Sequence, residues 1–176
     1  MMRNKFFHAA ILITLSSIVG GCQSNKGPGS IQKEEVLVKK SVSQLKARRY
    51  TNAIDSLKKL NQDYMTSPKA QDYRLELMYA EFKAGEYDNA QATANQYVVM
   101  YPHEKYVDYA LYLRSLSLYK TYEDWSPKRF SLQLGGRDPQ PLRDAVQSLD
   151  IIIKKFPTSR YFYQASISFR LHQLIK

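Results

Sequence analysis

The feature that most constrains the fold is an apolar spacing that occurs three times along the chain. Each copy has an alanine, apolar residues four and seven positions later, and an aromatic residue eleven positions later. These offsets place the four side chains on one face of an α-helix, which repeats every 3.6 residues. The copies are Ala53, Leu57, Leu60 and Tyr64; Ala90, Ala94, Tyr97 and Tyr101; and Ala145, Leu149, Ile152 and Phe156. We therefore expect three helices that each bury one stripe.

Two further apolar stripes lie between the copies and predict partner helices. Gly85 follows the first of these stripes, and glycine readily ends a helix. Side-chain oxygens at Thr51 and Asp88 are predicted to cap the amides at two helix starts. The stripes are Leu75, Met78, Tyr79 and Phe82, then Tyr106, Tyr109, Ala110 and Leu113. The chain is therefore predicted to be a series of helix hairpins.

The distance between copies indicates how the hairpins stack. The first two copies are 37 residues apart and the last two are 55 apart. Tetratricopeptide repeats have a usual period of about 34 residues and stack into a solenoid with a concave surface. We predict an all-α, tetratricopeptide-like helix-hairpin solenoid over residues 31–176, with about three repeats and the first helix of a fourth, incomplete one. Ile167, Leu171 and Leu174 are expected to face a partner helix that this sequence does not contain.

Residues 121–141 interrupt the third repeat and account for the longer spacing. An insertion inside a repeat is expected to form a loop. Its apolar side chains are costly to leave in water, so the loop either folds back on the solenoid or binds a partner. Asp138 within it is interpreted as a helix cap and not as a catalytic acid. The candidate partner-binding residues of this loop are Trp125, Phe130, Leu132, Leu134 and Arg137.

The amino terminus carries the pattern of a lipoprotein signal. Arg3 and Lys5 precede a mostly apolar block over residues 6–19, and two glycines lead into Cys22, the single cysteine. Residues 1–21 are predicted to be a removable signal and Cys22 the lipid attachment site. A membrane span is the alternative, but the apolar block is shorter than the roughly 20 residues that a span needs. Residues 22–30 are polar and turn-rich, as in a flexible linker.

Composition argues against catalysis and nucleic-acid binding. The formal net charge is +10, but the basic residues come as scattered pairs separated by acids, not as a continuous stripe. We interpret them as a solvated surface and expect no nucleic-acid partner. No group of His, Cys and Asp has the spacing of metal ligands, so no metal, cofactor or catalytic residue is predicted. Five of the fourteen tyrosines fall on the predicted buried stripes and are expected in the core: Tyr64, Tyr79, Tyr97, Tyr101 and Tyr109.

Several segments together resemble the BamD family, also called YfiO or ComL. They are the signal ending at Cys22, the segments at 48–53 and 107–114, and Arg137, Asp138, Pro139 and Gln140. The resemblance implies a lipid-anchored, non-enzymatic protein on the periplasmic face of the outer membrane. It also implies partners: the barrel protein BamA, accessory assembly lipoproteins and unfolded outer-membrane proteins. Family members have more repeats than this chain, and their carboxyl-terminal repeats carry the main docking surface for BamA.

Two other functions stay open on the sequence alone. A periplasmic lipoprotein that binds peptidoglycan or assists a cell-wall hydrolase would have the same cellular location and a similar basic charge. A role in DNA uptake is a third, weaker alternative, and a steep salt dependence of duplex binding would test it.

Overall fold

A computed structural model describes residues 28–124 and 140–174 of the chain. These two ranges contain helices and no strand, so the predicted all-α fold class is confirmed. None of the helices in them is long and apolar enough to cross a bilayer. The helices are α1 (Pro28–Lys46), α2 (Tyr50–Asp63), α3 (Ala70–Ala84), α4 (Tyr87–Met100), α5 (Val107–Asp124), α6 (Gln140–Lys155) and α7 (Phe162–Leu174).

Consecutive helices pack against each other in the order of the sequence. We name the pairs α1–α2, α3–α4 and α5–α6 hairpins 1, 2 and 3. The first helices α3 and α5 also contact each other, whereas the second helices α2, α4 and α6 make no comparable contact among themselves within the described ranges. Between hairpins 2 and 3 the first helices therefore approach more closely than the second helices, which curves this part of the stack with α3 and α5 inside. This is the arrangement of a tetratricopeptide-like solenoid.

The three predicted stripes form the buried faces of α2, α4 and α6. Their alanines are almost completely buried: the exposed fraction is 0% for Ala53 and Ala90 and 4% for Ala145. Tyr101 and Phe156, at the ends of two stripes, are partly buried. Because alanine has a single methyl group, the helix backbones approach closely at these three points.

The buried residues form two clusters that meet at α3. Tyr73, Leu77 and Ala80 of α3 pack with α1 and α2 in one cluster. Leu75 and Met78 of the same helix pack with α4 to α7 in the other. α3 therefore buries two faces, and the sequence predicted only the second of them.

Two helix ends have the same backbone geometry. Gly85, after α3, has a φ of 82°, and the amide of Glu86 donates to the carbonyl of Glu81 at 2.9 Å. Arg48, after α1, has a φ of 55°, and the amide of Arg49 donates to the carbonyl of Gln44 at 2.9 Å. Both positions adopt the left-handed conformation, which favours glycine. The prediction of a helix end at Gly85 is confirmed.

The helix starts differ from the prediction. Arg49 and Glu86 occupy the cap positions of α2 and α4, and neither makes a side-chain cap hydrogen bond. Thr51 and Asp88 lie one residue inside the helices, so the predicted capping role is wrong for both. The Oδ1 atom of Asp88 instead accepts from the hydroxyl of Thr121 on α5, at 3.2 Å.

Two aromatic residues assigned to buried stripes are exposed. The exposed fraction is 37% for Tyr79 and 42% for Tyr106. Val107, one residue after Tyr106, is buried in its place. The stripe of α5 is therefore rotated relative to the prediction.

Several predictions fall outside the described residues. These are the lipidation of Cys22, the cap at Asp138 and the loop residues Trp125, Phe130, Leu132, Leu134 and Arg137. Helix α1 begins at Pro28, slightly before the predicted start of the repeat domain at residue 31. Ile167 on α7 is 42% exposed.

Candidate protein-binding surface

Five tyrosines form a row across the three hairpins and the start of α7. The rings of Tyr50 and Tyr79 meet edge to face, with centroids 6.1 Å apart. Tyr161 lies 5.6 Å from Tyr109 and stacks on Tyr112 at 4.8 Å. Tyr79 is close enough to Tyr109 to raise the pKa of the Tyr109 hydroxyl. We name Tyr50, Tyr79, Tyr109, Tyr112 and Tyr161 the tyrosine row.

The fold places this row on the inner side of the solenoid. Tyr79 belongs to α3, and Tyr109 and Tyr112 belong to α5; these are the two first helices that contact each other. Tyr50 is the first residue of α2, and Tyr161 directly precedes α7. The row therefore runs along the direction in which an extended ligand would cross successive hairpins.

A polar contact holds Tyr161 in position. The hydroxyl of Ser159 donates to the Oδ2 atom of Asp108 on α5. The Ser159 hydroxyl oxygen also accepts from the amide of Tyr161 at 3.0 Å. The loop between α6 and α7 is thus attached to α5, which brings the Tyr161 ring onto those of Tyr109 and Tyr112.

Burial raises the pKa of three hydroxyls of the row above the ordinary value for tyrosine. It raises the pKa of Tyr79, Tyr109 and Tyr161, and neighbouring tyrosines contribute in the same direction. Arg48 lowers the pKa of Tyr79, and Arg160 lowers those of Tyr109 and Tyr161, but burial dominates in all three. A tyrosine hydroxyl is protonated at neutral pH even at its ordinary pKa of about 10, and the raised pKa extends this to more alkaline pH, so the hydroxyls can donate hydrogen bonds.

An arginine lies beside each end of the row. The guanidinium of Arg160 lies 5.2 Å from the centre of the Tyr161 ring, within the range of a cation–π interaction. Arg48 is exposed and has the left-handed φ of 55°. This conformation belongs to the end of α1, where the amide of Arg49 donates to the carbonyl of Gln44. Arg48 and Arg160 thus place positive charge beside the row.

The chemistry of this surface suits binding and not bond making. Its aromatic faces can pack against apolar or aromatic side chains, and its hydroxyls can donate to main-chain carbonyls. The two arginines can pair with carboxylates. Within the described ranges no three of His, Cys, Asp and Glu are placed to hold a metal ion.

A separate groove of about 590 Å³ lies between α1 and the loop that joins α2 to α3. Ile31 and Val38 form apolar parts of its wall, and Ser67 and Pro68 form the opposite side. At one wall the Tyr73 hydroxyl of α3 donates to the Oε1 atom of Glu34 at 2.7 Å. This bond ties α1 directly to hairpin 2.

The sequence did not predict the tyrosine row. Tyr79 was assigned to the core, whereas its edge is exposed, and Tyr109 is only partly buried. The abundance of tyrosine was the available signal. Members of the row are far apart in sequence, so only the stacking of hairpins brings them together.

Comparison with known proteins gives the family. The sequence profile of the YfiO family, described as outer membrane lipoprotein, matches residues 31–175. The chain belongs to this family. The YfiO match includes all seven helices apart from the first turn of α1, so the tyrosine row lies entirely inside it.

Curated relatives agree with the YfiO assignment. The chain is 32% identical to an outer membrane protein assembly factor BamD of Neisseria meningitidis over 132 residues, which cover 75% of this chain and 49% of the relative. It is 27% identical to BamD of Xylella fastidiosa over 154 residues, covering 86% of this chain and 53% of the relative. For BamD of Vibrio cholerae the identity is 23% over 145 residues, covering 82% and 60%. The chain spans about half the length of these relatives.

Proposed function

We propose that this chain is a non-catalytic scaffold of the machinery that assembles outer-membrane β-barrel proteins. In this role the scaffold binds partner proteins and unfolded barrel precursors. The observation that carries the proposal is the tyrosine row, which crosses three hairpins on the inner side of the solenoid. The family match and the name of the relatives, outer membrane protein assembly factor, support the same role.

An unfolded barrel precursor has the chemistry that the row accepts. Its strands alternate apolar and polar side chains and expose main-chain carbonyls before they pair. Alternate side chains of an extended segment can pack on the rings of Tyr79 and Tyr109, and the tyrosine hydroxyls can donate to its carbonyls. Arg48 and Arg160 can then pair with acidic residues of the precursor.

The proposed location follows from the amino terminus and the family. Lipids on Cys22 would hold the chain at the periplasmic face of the outer membrane, where BamA and accessory assembly lipoproteins are the proposed partners. Mass spectrometry of the amino-terminal peptide, purified from membranes, should show a chain that begins at Cys22 and carries acyl groups. An unmodified cysteine would remove the anchor from the proposal.

Binding of an unfolded barrel segment tests the tyrosine row. We expect Tyr79→Ala to weaken binding of a fluorescent barrel-strand peptide about fivefold, equivalent to about 1 kcal/mol for one aromatic contact. Tyr163→Ala is the matched control, because Tyr163 is 72% exposed and lies outside the row. Equal binding by both variants and the unsubstituted chain would remove the row from the proposal.

A pull-down from solubilised membranes separates this function from the cell-wall alternative. The assembly scaffold should retain BamA and accessory lipoproteins. Recovery of murein fragments or a cell-wall hydrolase without BamA would instead favour a role in the cell wall.

A further inference from the structure

The positive charge of the described chain is concentrated at its amino-terminal end. Residues 28–69, which form hairpin 1 and the loop after it, contain nine Lys and Arg and four Asp and Glu. Residues 70–106, which follow, contain three Lys and Arg and six Asp and Glu. The net charge therefore changes from positive in hairpin 1 to negative in hairpin 2, although the basic residues occur as scattered pairs along the sequence.

All nine cations of hairpin 1 and its loop are exposed: Lys33, Lys39, Lys40, Lys46, Arg48, Arg49, Lys58, Lys59 and Lys69. Within the described ranges none of them forms a salt bridge, whereas Lys154 of α6 pairs with Asp150 at 2.7 Å. One of the four acids, Glu34, already accepts from Tyr73. Hairpin 1 thus presents exposed cations that form no salt bridge with a carboxylate of the described residues, although Lys58 is near enough to Glu81 to lower its pKa.

An apolar side chain lies among these cations on the outer side of α1: Val36 is 61% exposed. Val36, Lys39 and Lys46 share the side of α1 that is opposite the buried Ser41. A helix that exposes an apolar residue between lysines suits the boundary between lipid headgroups and acyl chains.

We propose that hairpin 1 docks on anionic phospholipid headgroups. The proposal rests on the anchor proposed at Cys22, which is six residues before α1 and would hold this hairpin near the bilayer. Basic residues close to a membrane are attracted by its negative surface potential, and the attraction acts within a Debye length. The acidic charge of hairpin 2 would keep the next part of the solenoid, with Tyr79, Tyr109, Tyr112 and Tyr161 of the tyrosine row, directed away from the lipid.

Protection of lysines from a membrane-impermeant amine reagent tests this docking. The lipidated full chain is reconstituted in phosphatidylcholine vesicles with and without phosphatidylglycerol, and labelling of each lysine is read by mass spectrometry. With phosphatidylglycerol present, we expect Lys33, Lys39 and Lys40 to react about fivefold more slowly, the effect of about one cation near a charged surface. Lys154 and Lys155 should react equally in both vesicles. At about 1 M salt the difference should vanish, because screening then acts within about 3 Å.

Charge reversal supplies the matched variants. Lys39→Glu combined with Lys40→Glu should abolish the phosphatidylglycerol-dependent protection of Lys33, Lys46 and Lys59. The adjacent pair Lys154→Glu and Lys155→Glu should leave that protection intact. Equal labelling of hairpin 1 in the two vesicles, or equal effects of the two variant pairs, would overturn the proposal.

Two other outcomes are distinguishable in the same experiment. Protection of the same lysines by duplex DNA at physiological salt, with none by anionic vesicles, would assign the surface to nucleic acid and overturn the proposal. The mass of the amino-terminal peptide reports separately on Cys22. An unmodified Cys22 combined with phosphatidylglycerol-dependent protection would remove the anchor while supporting the docking surface.

Discussion

At the residue scale, Arg48 occupies the position in the first repeat that glycine occupies in the second. Arg48 and Gly85 are 37 residues apart, which is the repeat distance, and both end a first helix in the left-handed conformation. No atom lies within 4 Å of where a Cβ of Gly85 would be, so the backbone conformation alone favours glycine there. An arginine at the equivalent point carries strain that a glycine would relieve.

Replacing Arg48 by glycine should therefore stabilise the fold and weaken binding. Glycine relieves the left-handed strain, but it is also more flexible in the unfolded chain. The balance of these two effects predicts a gain of about 0.5–1 kcal/mol in the free energy of unfolding. Gly85→Ala should have the opposite effect, a loss of about 1 kcal/mol. Urea unfolding measures both. If Arg48→Gly lowers stability, the left-handed backbone at Arg48 is not strained. If it leaves the affinity for an acidic barrel peptide unchanged, the Arg48 guanidinium takes no part in binding.

Glu81 is a buried carboxyl group of α3 that contacts α4 within hairpin 2. It is 2% exposed, and its Oε2 atom accepts from the Thr93 hydroxyl on α4 at 2.7 Å. Burial raises the pKa of Glu81 above its usual value; Thr93 and Lys58 lower it, and Glu86 raises it. In the unfolded chain the group loses its proton near pH 4.3, while in the fold it holds the proton to higher pH.

The stability of the fold should therefore decrease as pH rises above about 4.3 through the raised pKa of Glu81, because the unfolded state releases the proton first. Glu81→Gln keeps an acceptor for Thr93 and removes the ionisation, so this contribution should disappear. Thermal unfolding over this pH range measures the contribution of Glu81 to stability. Glu35→Gln, at an exposed site on α1, should keep the pH dependence of the unsubstituted chain. Parallel curves of stability against pH for Glu81→Gln and the unsubstituted chain would contradict the assignment of this pH dependence to Glu81.

At the element scale, helices with one buried face could be predicted from the sequence, and the others could not. α2, α4 and α6 each face the rest of the solenoid on one side, so a single stripe describes them. α3 is packed on two sides, and its residues Tyr73, Leu77 and Ala80 fall off the predicted stripe. The cap assignments of Thr51 and Asp88 failed because residue type alone does not fix where the backbone enters a helix.

The close approach of α4 to its neighbours predicts intolerance of larger residues at its alanine positions. Ala90 is 0% exposed, so Ala90→Leu must displace adjacent backbone and should cost about 1–3 kcal/mol. Ala92, two residues later on the same helix, is exposed, and Ala92→Leu should change stability by less than about 0.5 kcal/mol. Chemical denaturation followed by circular dichroism compares the two. Equal stability of both variants would show that the backbones do not approach closely at Ala90.

At the scale of the whole molecule, the two buried clusters make the solenoid a linear assembly. Each hairpin packs only on its neighbours, so its stability is the sum of its own contacts and those with the next hairpin. Leu57 lies fully buried in the cluster formed by α1, α2 and one face of α3. Ile152 lies fully buried in the cluster formed by the other face of α3 and the later helices.

Shortening a buried side chain in one cluster should therefore increase local unfolding at that end of the molecule and leave the other end folded. Leu57→Ala should cost about 3 kcal/mol and speed amide hydrogen exchange in α1 and α2 up to about a hundredfold, with little change in α5 and α6. Ile152→Ala should produce the reverse pattern at a similar cost, because the two side chains are equally buried. Exchange read by mass spectrometry on peptides from each helix separates the ends. Acceleration in every helix by either substitution would mean that α3 couples the two clusters into one cooperative unit, and that hairpin 1 cannot open independently of the tyrosine row.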